Sequence, residues 1–408
     1  MAAQIFFGVN LSLFISQKTS KPHAGTFSAT IHKVAIVSIS LGLAVMTLAF
    51  LIMLGFQNTI KNKIYDFTGH IQITRYLTGN SYTEKPATLD SIAPNSKIVR
   101  IQPFAYKYGL LQNNEEVEGV IFKGVDHAFD TVSFGKYMVS GRFIKFKDER
   151  ASTEIVISKK EADKMQLVVG KDILMHFIQE PPRTRKLKVV GIYETGMEDF
   201  DDKLLIGDLA LVRRLNGWQN NQAGGYEIFL VDPEDVKEVY ANLFDEIGYD
   251  YFVQKTSEKY IQIFEWLSLI NNNVDVLIFM VLFVASFNMI SIVLILILER
   301  TNMIGTLKAL GATDRLIRKI FVYSGIRLIV VGLIIGNVVG LGLAMLQYYF
   351  NFIPLDATNY YMSYVPIEFD WIIVAALNLL VLVLVSLVLV VPTLFVSRID
   401  PIKAIRFD

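Results

Sequence analysis

Residues 299–319 read ERTNMIGTLKALGATDRLIRK, a short basic helix-turn segment wedged between two long apolar runs. By that position it reads as a coupling helix, expected on the cytoplasmic side of a membrane. Its polar and cationic side chains face water, while Ile304, Leu307, Ala309 and Leu310 supply an apolar face for a partner protein to grip. Gly305 and Gly311 punctuate it.

Outward from this segment, four runs are long enough to cross a bilayer, which takes about 20 mostly apolar residues. They extend over Val34–Leu54, Val276–Leu298, Ile320–Leu346 and Trp371–Phe395. Hydrophobic residues make up 52% of the 408 and charged residues 19%, and the apolar ones are concentrated rather than spread. The expected fold class is an α-helical membrane protein of four transmembrane helices, with a large α+β periplasmic domain inserted between the first two. The expected order is a cytoplasmic or interfacial segment (1–33), first span (34–56), periplasmic domain (57–256), stalk helix and second span (257–298), coupling helix (299–319), third span (320–346), periplasmic loop (347–370), fourth span (371–396) and cytoplasmic tail (397–408).

Lys and Arg in short flanks set orientation. Lys18, Lys21 and Lys33 precede the first span; Arg300, Lys308, Arg315, Arg318 and Lys319 separate the second and third; Arg398, Lys403 and Arg406 follow the fourth. The stretch 347–370 has none and carries Asp356, Glu368 and Asp370. Both termini and the coupling segment are therefore expected in the cytoplasm and the large domain outside. Ile5–Ile15 lacks the leading cations and small-residue cleavage pattern of a signal peptide. It reads as an interfacial helix or as a plain disordered terminus. The chain has no cysteine, so disulfides and thiolate metal sites are excluded.

The inserted domain alternates strand and helix signals. Strands are expected at His70–Tyr76, Ser96–Ile101, Val117–Val125, Glu154–Ile157, Asp172–Ile178, Leu187–Tyr193, Leu204–Ile206, Tyr226–Val231 and Tyr251–Gln254. Asp232-Pro233-Glu234 opens one helix, with a cap, a proline at the first position and an acid on the positive dipole end. Ser158 caps another over Lys159–Met165. Two lobes are expected: 57–104 with 225–256, and a β-rich lobe of 105–224. Ser257–Asn273 reads as a helix running into the second span, a rigid lever unless Asn271-Asn272-Asn273 hinges.

No GxxxxGK[ST] loop, HExxH, GxSxG or CxxC is present. The five histidines are dispersed and outside the spans. No catalytic residue, metal site or nucleic-acid partner is expected, and ATP hydrolysis falls to a separate subunit. Asn288, Asn337 and Asn378 sit near mid-span, where interhelical hydrogen bonds are the simplest use of an amide. Gly332, Gly336, Gly340 and Ala344 recur every four residues, a smooth ridge for close packing against a helix of this chain or of a second copy.

Glu299-Arg300-Thr301 with Ile304-Gly305-x-Leu307-Lys308-Ala309-Leu310-Gly311-Ala312 resembles the FtsX/MacB-type ABC permease superfamily. The tail Ser397-Arg398-Ile399-Asp400-Pro401-Ile402-Lys403-Ala404-Ile405-Arg406 is similar to that superfamily's ending. Within it the chain resembles the lipoprotein-releasing permeases of LolC/LolE type, through Gly55-Phe56 and Gly69-His70-Ile71 around Asn58–Ile73, through Val189-Val190-Gly191-Ile192-Tyr193 with Gly196 and Met197, and through Leu355-Asp356 with Tyr360-Tyr361-x-x-Tyr364-Val365-Pro366. Phe14-Ile15-Ser16-Gln17-Lys18 departs from that family's amino-terminal pattern.

The resemblance implies mechanotransmission. ATP and Mg bound by a cytoplasmic LolD-like ATPase would move the coupling residues Glu299, Arg300, Ile304, Gly305, Leu307, Lys308, Ala309, Leu310 and Gly311. An acylated lipoprotein would then be drawn from membrane lipid between two permease subunits, alike or different, and handed to a LolA-like periplasmic carrier. Met46, Phe50 and Met53 on the first span and Phe279, Phe283 and Phe287 on the second fall at helical spacing and would line the lipid entrance, or serve as ordinary packing residues. Gln179–Lys186, with Pro181, Pro182, Arg183 and Arg185, would be a projecting hairpin that recruits the carrier, or an ordinary solvated turn. The alternatives are a MacB-like permease exporting peptides, toxins or drugs, and a scaffold relaying ATPase motion to a periplasmic hydrolase.

Overall fold

A computed structural model describes residues 27–75, 83–86, 89, 97–113, 116–147 and 150–394. The expected amino-terminal interfacial helix and the 397–406 tail lie outside the described residues. The chain divides into two units, one formed by 57–266 with 354–364, the other by the flanking and intervening segments.

The first unit receives the chain from helix α1 (Phe27–Thr68). Its strands are β1 (Ile71–Arg75), β2 (Thr83–Glu84), β3 (Ile98–Asn113), β4 (Glu116–Val125), β5 (Met138–Gly141), β6 (Glu154–Ser158), β7 (Asp172–Phe177), β8 (Arg183–Tyr193), β9 (Leu204–Asp208), β10 (Gln222–Ala223), β11 (Gly225–Leu230) and β12 (Tyr251–Lys255). The main sheet runs β12-β1-β11-β3-β4-β9-β6-β8-β5, and β7 pairs with both β3 and β8. The path β3-β4-β9-β6-β8-β7 therefore returns to β3 and closes a six-stranded circuit. Each of its strands contributes a fully buried side chain to one cluster: Leu111, Phe122, Ile155, Met175, Leu187 and Leu205. Closure leaves these strands no free edge within the circuit.

The two lobes expected from sequence are one hydrogen-bonded sheet, because β3 serves both. Ile98–Phe104 pairs with β11, and Phe104–Asn113 pairs with β4. Gln102-Pro103 reads as a strand end because proline cannot donate to a ladder, yet Pro103 lies opposite Tyr226 and the strand continues. On the other side of β11, β1 is flanked by β11 and β12, both antiparallel to it. Helix α2 (Leu209–Asn216) joins β9 to β10, and helix α3 (Val236–Glu246) joins β11 to β12 as a split βαβ crossover. Asp232 accepts the Glu234 amide at 2.8 Å ahead of α3, and Ser158 accepts the Glu161 amide at 3.1 Å, as the capping signals required.

Helix α4 (Ile261–Glu299) follows and runs unbroken through Asn271–Asn273, so no hinge interrupts it there. The second unit is completed by α5 (Thr301–Ala309), α6 (Asp314–Phe350) and α7 (Trp371–Val388). Stretches of α1, α4 and α6, and α7 extended to Thr393, are long and apolar enough to cross a membrane. Their shared core includes Leu43, Met289, Ile304, Ile329 and Val385.

Candidate functional site

The coupling segment divides its residues differently from the expected grip face. Ile304 is fully buried and Gly305 buried with it, while Met303 and Leu307 pack on the same core. Ile304 thus serves this chain's own interior, which corrects its place on a partner-facing surface. The 3.6-residue period fixes a stripe but not which neighbour covers it. Glu299, Asn302, Thr306, Ala309 and Leu310 are exposed, Leu310 at 79%. Gly311 has φ +90°, the left-handed region where glycine is favoured, and Lys308 bridges to Asp314 at 3.0 Å across the turn.

The six residues proposed for a lipid entrance separate in the same way. Phe279, Phe283 and Phe287 are 58–70% exposed on α4, and Phe283 and Phe287 touch at 5.4 Å. Met46 and Met53 are buried, Met46 within the helical core and Phe50 packed against it. The two methionines therefore fill the interior of a single chain and line no opening. The exposed face of α1 is Val34, Val37, Leu41 and Val45 instead.

The small-residue ridge of α6 packs on α1 of the same chain. A Cβ added at Gly332 would meet Ile39 at 2.8 Å, at Gly336 the Ser40 carbonyl oxygen at 2.8 Å, and at Gly340 the Ala44 Cα at 3.0 Å. Ala344 is fully buried. Ser40 donates its hydroxyl to the Gly332 carbonyl at 3.0 Å. The three mid-span amides do bond between helices. Asn288 donates to Ser38 at 2.8 Å, and Asn337 and Asn378 exchange bonds of 2.7 and 3.0 Å.

A buried charge cluster, missed from sequence, stands where α1 ends and the chain leads into α4. Lys123 on β4 and Glu227 on β11 pair at 2.7 Å, with side chains 1% and 0% exposed. Lys123 also donates to the Phe67 carbonyl at the end of α1. Glu227 accepts from Gln72 at 3.1 Å and Gln102 at 2.7 Å, and Gln72 donates on to the Thr68 carbonyl at 3.2 Å. From the turn before α4, Lys259 donates to Gln72 at 2.8 Å. Burial pushes the Lys259 ammonium below its ordinary range, against the opposing pull of Glu227. Beside it Thr256 donates to the Gly69 carbonyl at 2.7 Å. Residues 104 apart in sequence make this pair, and only a lysine within the apolar second half of its strand hinted at it.

His70 belongs to the same junction. Its Nδ1 accepts the Leu230 amide at 3.1 Å, and its ring stacks on Tyr65 at 4.1 Å. Burial, and secondarily the nearby Arg100 charge, push the imidazole down to about 4.

A second tie lies one turn back along α1. Lys63 donates to the Thr195 carbonyl at 2.5 Å and the Tyr361 carbonyl at 2.6 Å, joining α1, the turn after β8 and the 354–364 loop. Trp266 meets Tyr361 edge-on at 6.1 Å. A cavity of about 470 Å³ opens beside Lys63.

The β7–β8 connection is shorter than the expected 179–186 loop, since Arg183, Arg185 and Lys186 already pair with β7. Pro181 and Pro182 remain in the turn, and Arg183 donates to the Leu215 carbonyl at 3.3 Å. The alternating Arg-Thr-Arg-Lys-Leu pattern suits a half-exposed strand, and charge alone misled the boundary.

A family model described as MacB-like periplasmic core domain matches residues 34–243, and one described as FtsX-like permease C-terminal matches 276–401. The lipoprotein-releasing system transmembrane protein LolC of Neisseria meningitidis is 23% identical over 403 residues, covering 94% of this chain and 95% of its own. LolE of Haemophilus influenzae is 24% identical over 400 residues, covering 91% and 94%. Among solved structures, the periplasmic region of MacB from Actinobacillus actinomycetemcomitans aligns with 47% of this chain and 91% of its own, at 13% identity and a TM-score of 0.33.

Proposed function

We propose that this chain, which belongs to the FtsX/MacB-like ABC permease family with its MacB-like periplasmic core domain, is a membrane subunit that releases acylated lipoproteins from the inner membrane. Relatives named for that process match it almost end to end, and this is the observation that carries the reading. α1, α4, α6 and α7 span the bilayer, with both termini and α5 in the cytoplasm and the 57–266 unit in the periplasm. A LolD-like ATPase, holding ATP and Mg, grips the exposed side of α5 around Leu310. A second permease subunit, the same or different, completes the pathway.

Extraction of acyl chains costs about 0.8 kcal/mol per methylene exposed to water. A route that never exposes them is therefore favoured, from the Phe279, Phe283 and Phe287 face of α4 to a LolA-like carrier docked at the β7–β8 hairpin. α1 and α4 are each continuous helices of 42 and 39 residues, and in this reading they carry ATPase motion outward.

The test is carrier-dependent release of a purified acylated lipoprotein from proteoliposomes holding the permease and its ATPase. Leu310→Asp should abolish release while leaving the fold intact, because that side chain is exposed. Absence of release with an active ATPase would overturn the reading and favour export of peptides or drugs.

A further inference from the structure

We infer that the cavity beside Lys63 binds the phosphodiester head group of a membrane glycerophospholipid. The inference rests on α1 crossing the bilayer and is independent of what the permease moves. Two ammonium groups, Lys63 and Lys136, border the cavity and repel one another. The acids around them are already engaged. Asp66 pairs with Lys136 at 2.5 Å and accepts the Tyr137 hydroxyl at 2.7 Å, and Glu194 pairs with Lys159 at 3.2 Å. Asp201 accepts the Thr195 and Gly196 amides at 3.0 and 2.8 Å.

Lys63 differs from these groups. Among the described residues its two hydrogen bonds go to carbonyl oxygens, Asp201 attracts it without a hydrogen bond, and one of its three donors remains. A cavity bordered by one such cation and by Lys136, which shares its charge with Asp66, while the bordering Glu194 is held by Lys159, suits a monoanion with several acceptor oxygens.

Position selects the source of that anion. The apolar run of α1 ends near Phe56. At 1.5 Å per residue, Thr59, Asn62 and Lys63, which border the cavity, stand about 5–10 Å further along the helix axis. The head-group layer reaches roughly 5–8 Å beyond the hydrocarbon on each side, so Thr59 falls at its inner boundary and Asn62 and Lys63 at its outer margin. The cavity volume, about 470 Å³, exceeds what a lone carboxylate needs and leaves room for a glycerophosphate.

The test is native mass spectrometry of the full-length permease in detergent, titrated with phosphatidylglycerol, with diacylglycerol of the same chains, or with inorganic phosphate. One phosphatidylglycerol should bind per chain and resist competition by diacylglycerol. Lys63→Gln should weaken it about tenfold, the scale of one charge-assisted hydrogen bond. Lys136→Gln should weaken it several-fold, and Lys63→Arg should retain it. Equal binding of diacylglycerol, or binding unchanged in both glutamine variants, overturns the inference. Lysine-dependent binding of inorganic phosphate without phospholipid binding also overturns it, in favour of a free-anion site. Lys136 is exposed, so its variant keeps the test decisive if Lys63→Gln fails to fold. No ATP, ATPase or lipoprotein is present, so failure of lipoprotein release leaves this result untouched.

Discussion

Helix α1 is held in two unlike ways along its length. Between Ile39 and Ala44 it is held by shape, with backbone against backbone at Gly332, Gly336 and Gly340. At Phe67 and Thr68 it is held by buried charge, through Lys123, Glu227 and two glutamines. The first contact tolerates no added volume, and the second tolerates no lone removal. A close-packed small-residue ridge suits helices surrounded by lipid, where hydrophobic burial offers no net drive to associate. A fully bonded ion pair fixes a unique geometry at a large desolvation cost, which suits a joint whose angle must not drift.

The sharpest way to break this contrast is to remove one charge. Lys123→Met should destabilise the sheet unit by about 3–5 kcal/mol, because Glu227 is left buried and uncompensated. Hydrogen-exchange mass spectrometry should show lost protection at 57–68 and β11, with 36–46 unchanged. Adding Glu227→Leu should recover part of the loss, giving a coupling of about 1–3 kcal/mol in the double-mutant cycle. Strict additivity would mean that the two groups do not act as a pair.

Acid probes the same end without mutation. The folded-state pKa of His70 is depressed from 6.5 to about 4, so the unfolded chain takes up the proton first. Its contribution is therefore complete above pH 6.5 and is lost as pH falls toward 4, up to about 3 kcal/mol. Protection at 69–75 should fall over that window, and His70→Gln should flatten the His70 component. Glu161 opposes it. Burial, then the Glu118 charge, raise its carboxyl to about 7, so its penalty grows as pH rises from 4.5 through 7, and Glu161→Gln should steady the unit at alkaline pH. The shape-held stretch at 36–46 should not respond to pH across this range.

How far these features were legible in the sequence follows the same division. The four apolar helices, the glycine ridge, the mid-span amides and the Asp232 and Ser158 caps are local or periodic signals, and the structure uses each of them. The joining of the two expected lobes into one sheet depends on β3 passing through Pro103, where a local rule argues for a stop. The Lys123–Glu227 pair depends on tertiary register between strands a hundred residues apart, and nothing near either residue announces the other. Helical spacing placed Ile304 on a stripe and Met46 among entrance residues. Whether an apolar stripe faces a partner, lipid or the chain's own core is decided by packing that a period does not encode.

Overpacking tests the shape-held end. Gly336→Ala should cost about 1–3 kcal/mol, since its Cβ would stand 2.8 Å from the Ser40 carbonyl and 3.0 Å from the Leu43 Cβ. Gly342→Ala is the control on the same helix, because its Cβ would meet nothing within 4 Å. That substitution should stabilise by about 0.5–1 kcal/mol through helix propensity. Protection at 36–46 should fall in the first variant and hold in the second, with 57–68 unaffected in both. Loss at both ends of α1 would show that the two contacts act as one.

The smallest effect should come from the polar exception inside the shape-held unit. Asn337 and Asn378 exchange two hydrogen bonds and each also donates to a carbonyl four residues back, Leu333 and Val374. Either amide can therefore fall back on its own helix if its partner is lost, a recourse Glu227 lacks. Double-mutant cycles on such membrane pairs average about 0.6 kcal/mol. Asn337→Leu and Asn378→Leu should each cost about that much, and together little more than either alone. A coupling as large as that of Lys123 with Glu227 would place the strength of the second joint in its hydrogen bonds. The small value expected places it in charge that has no other partner.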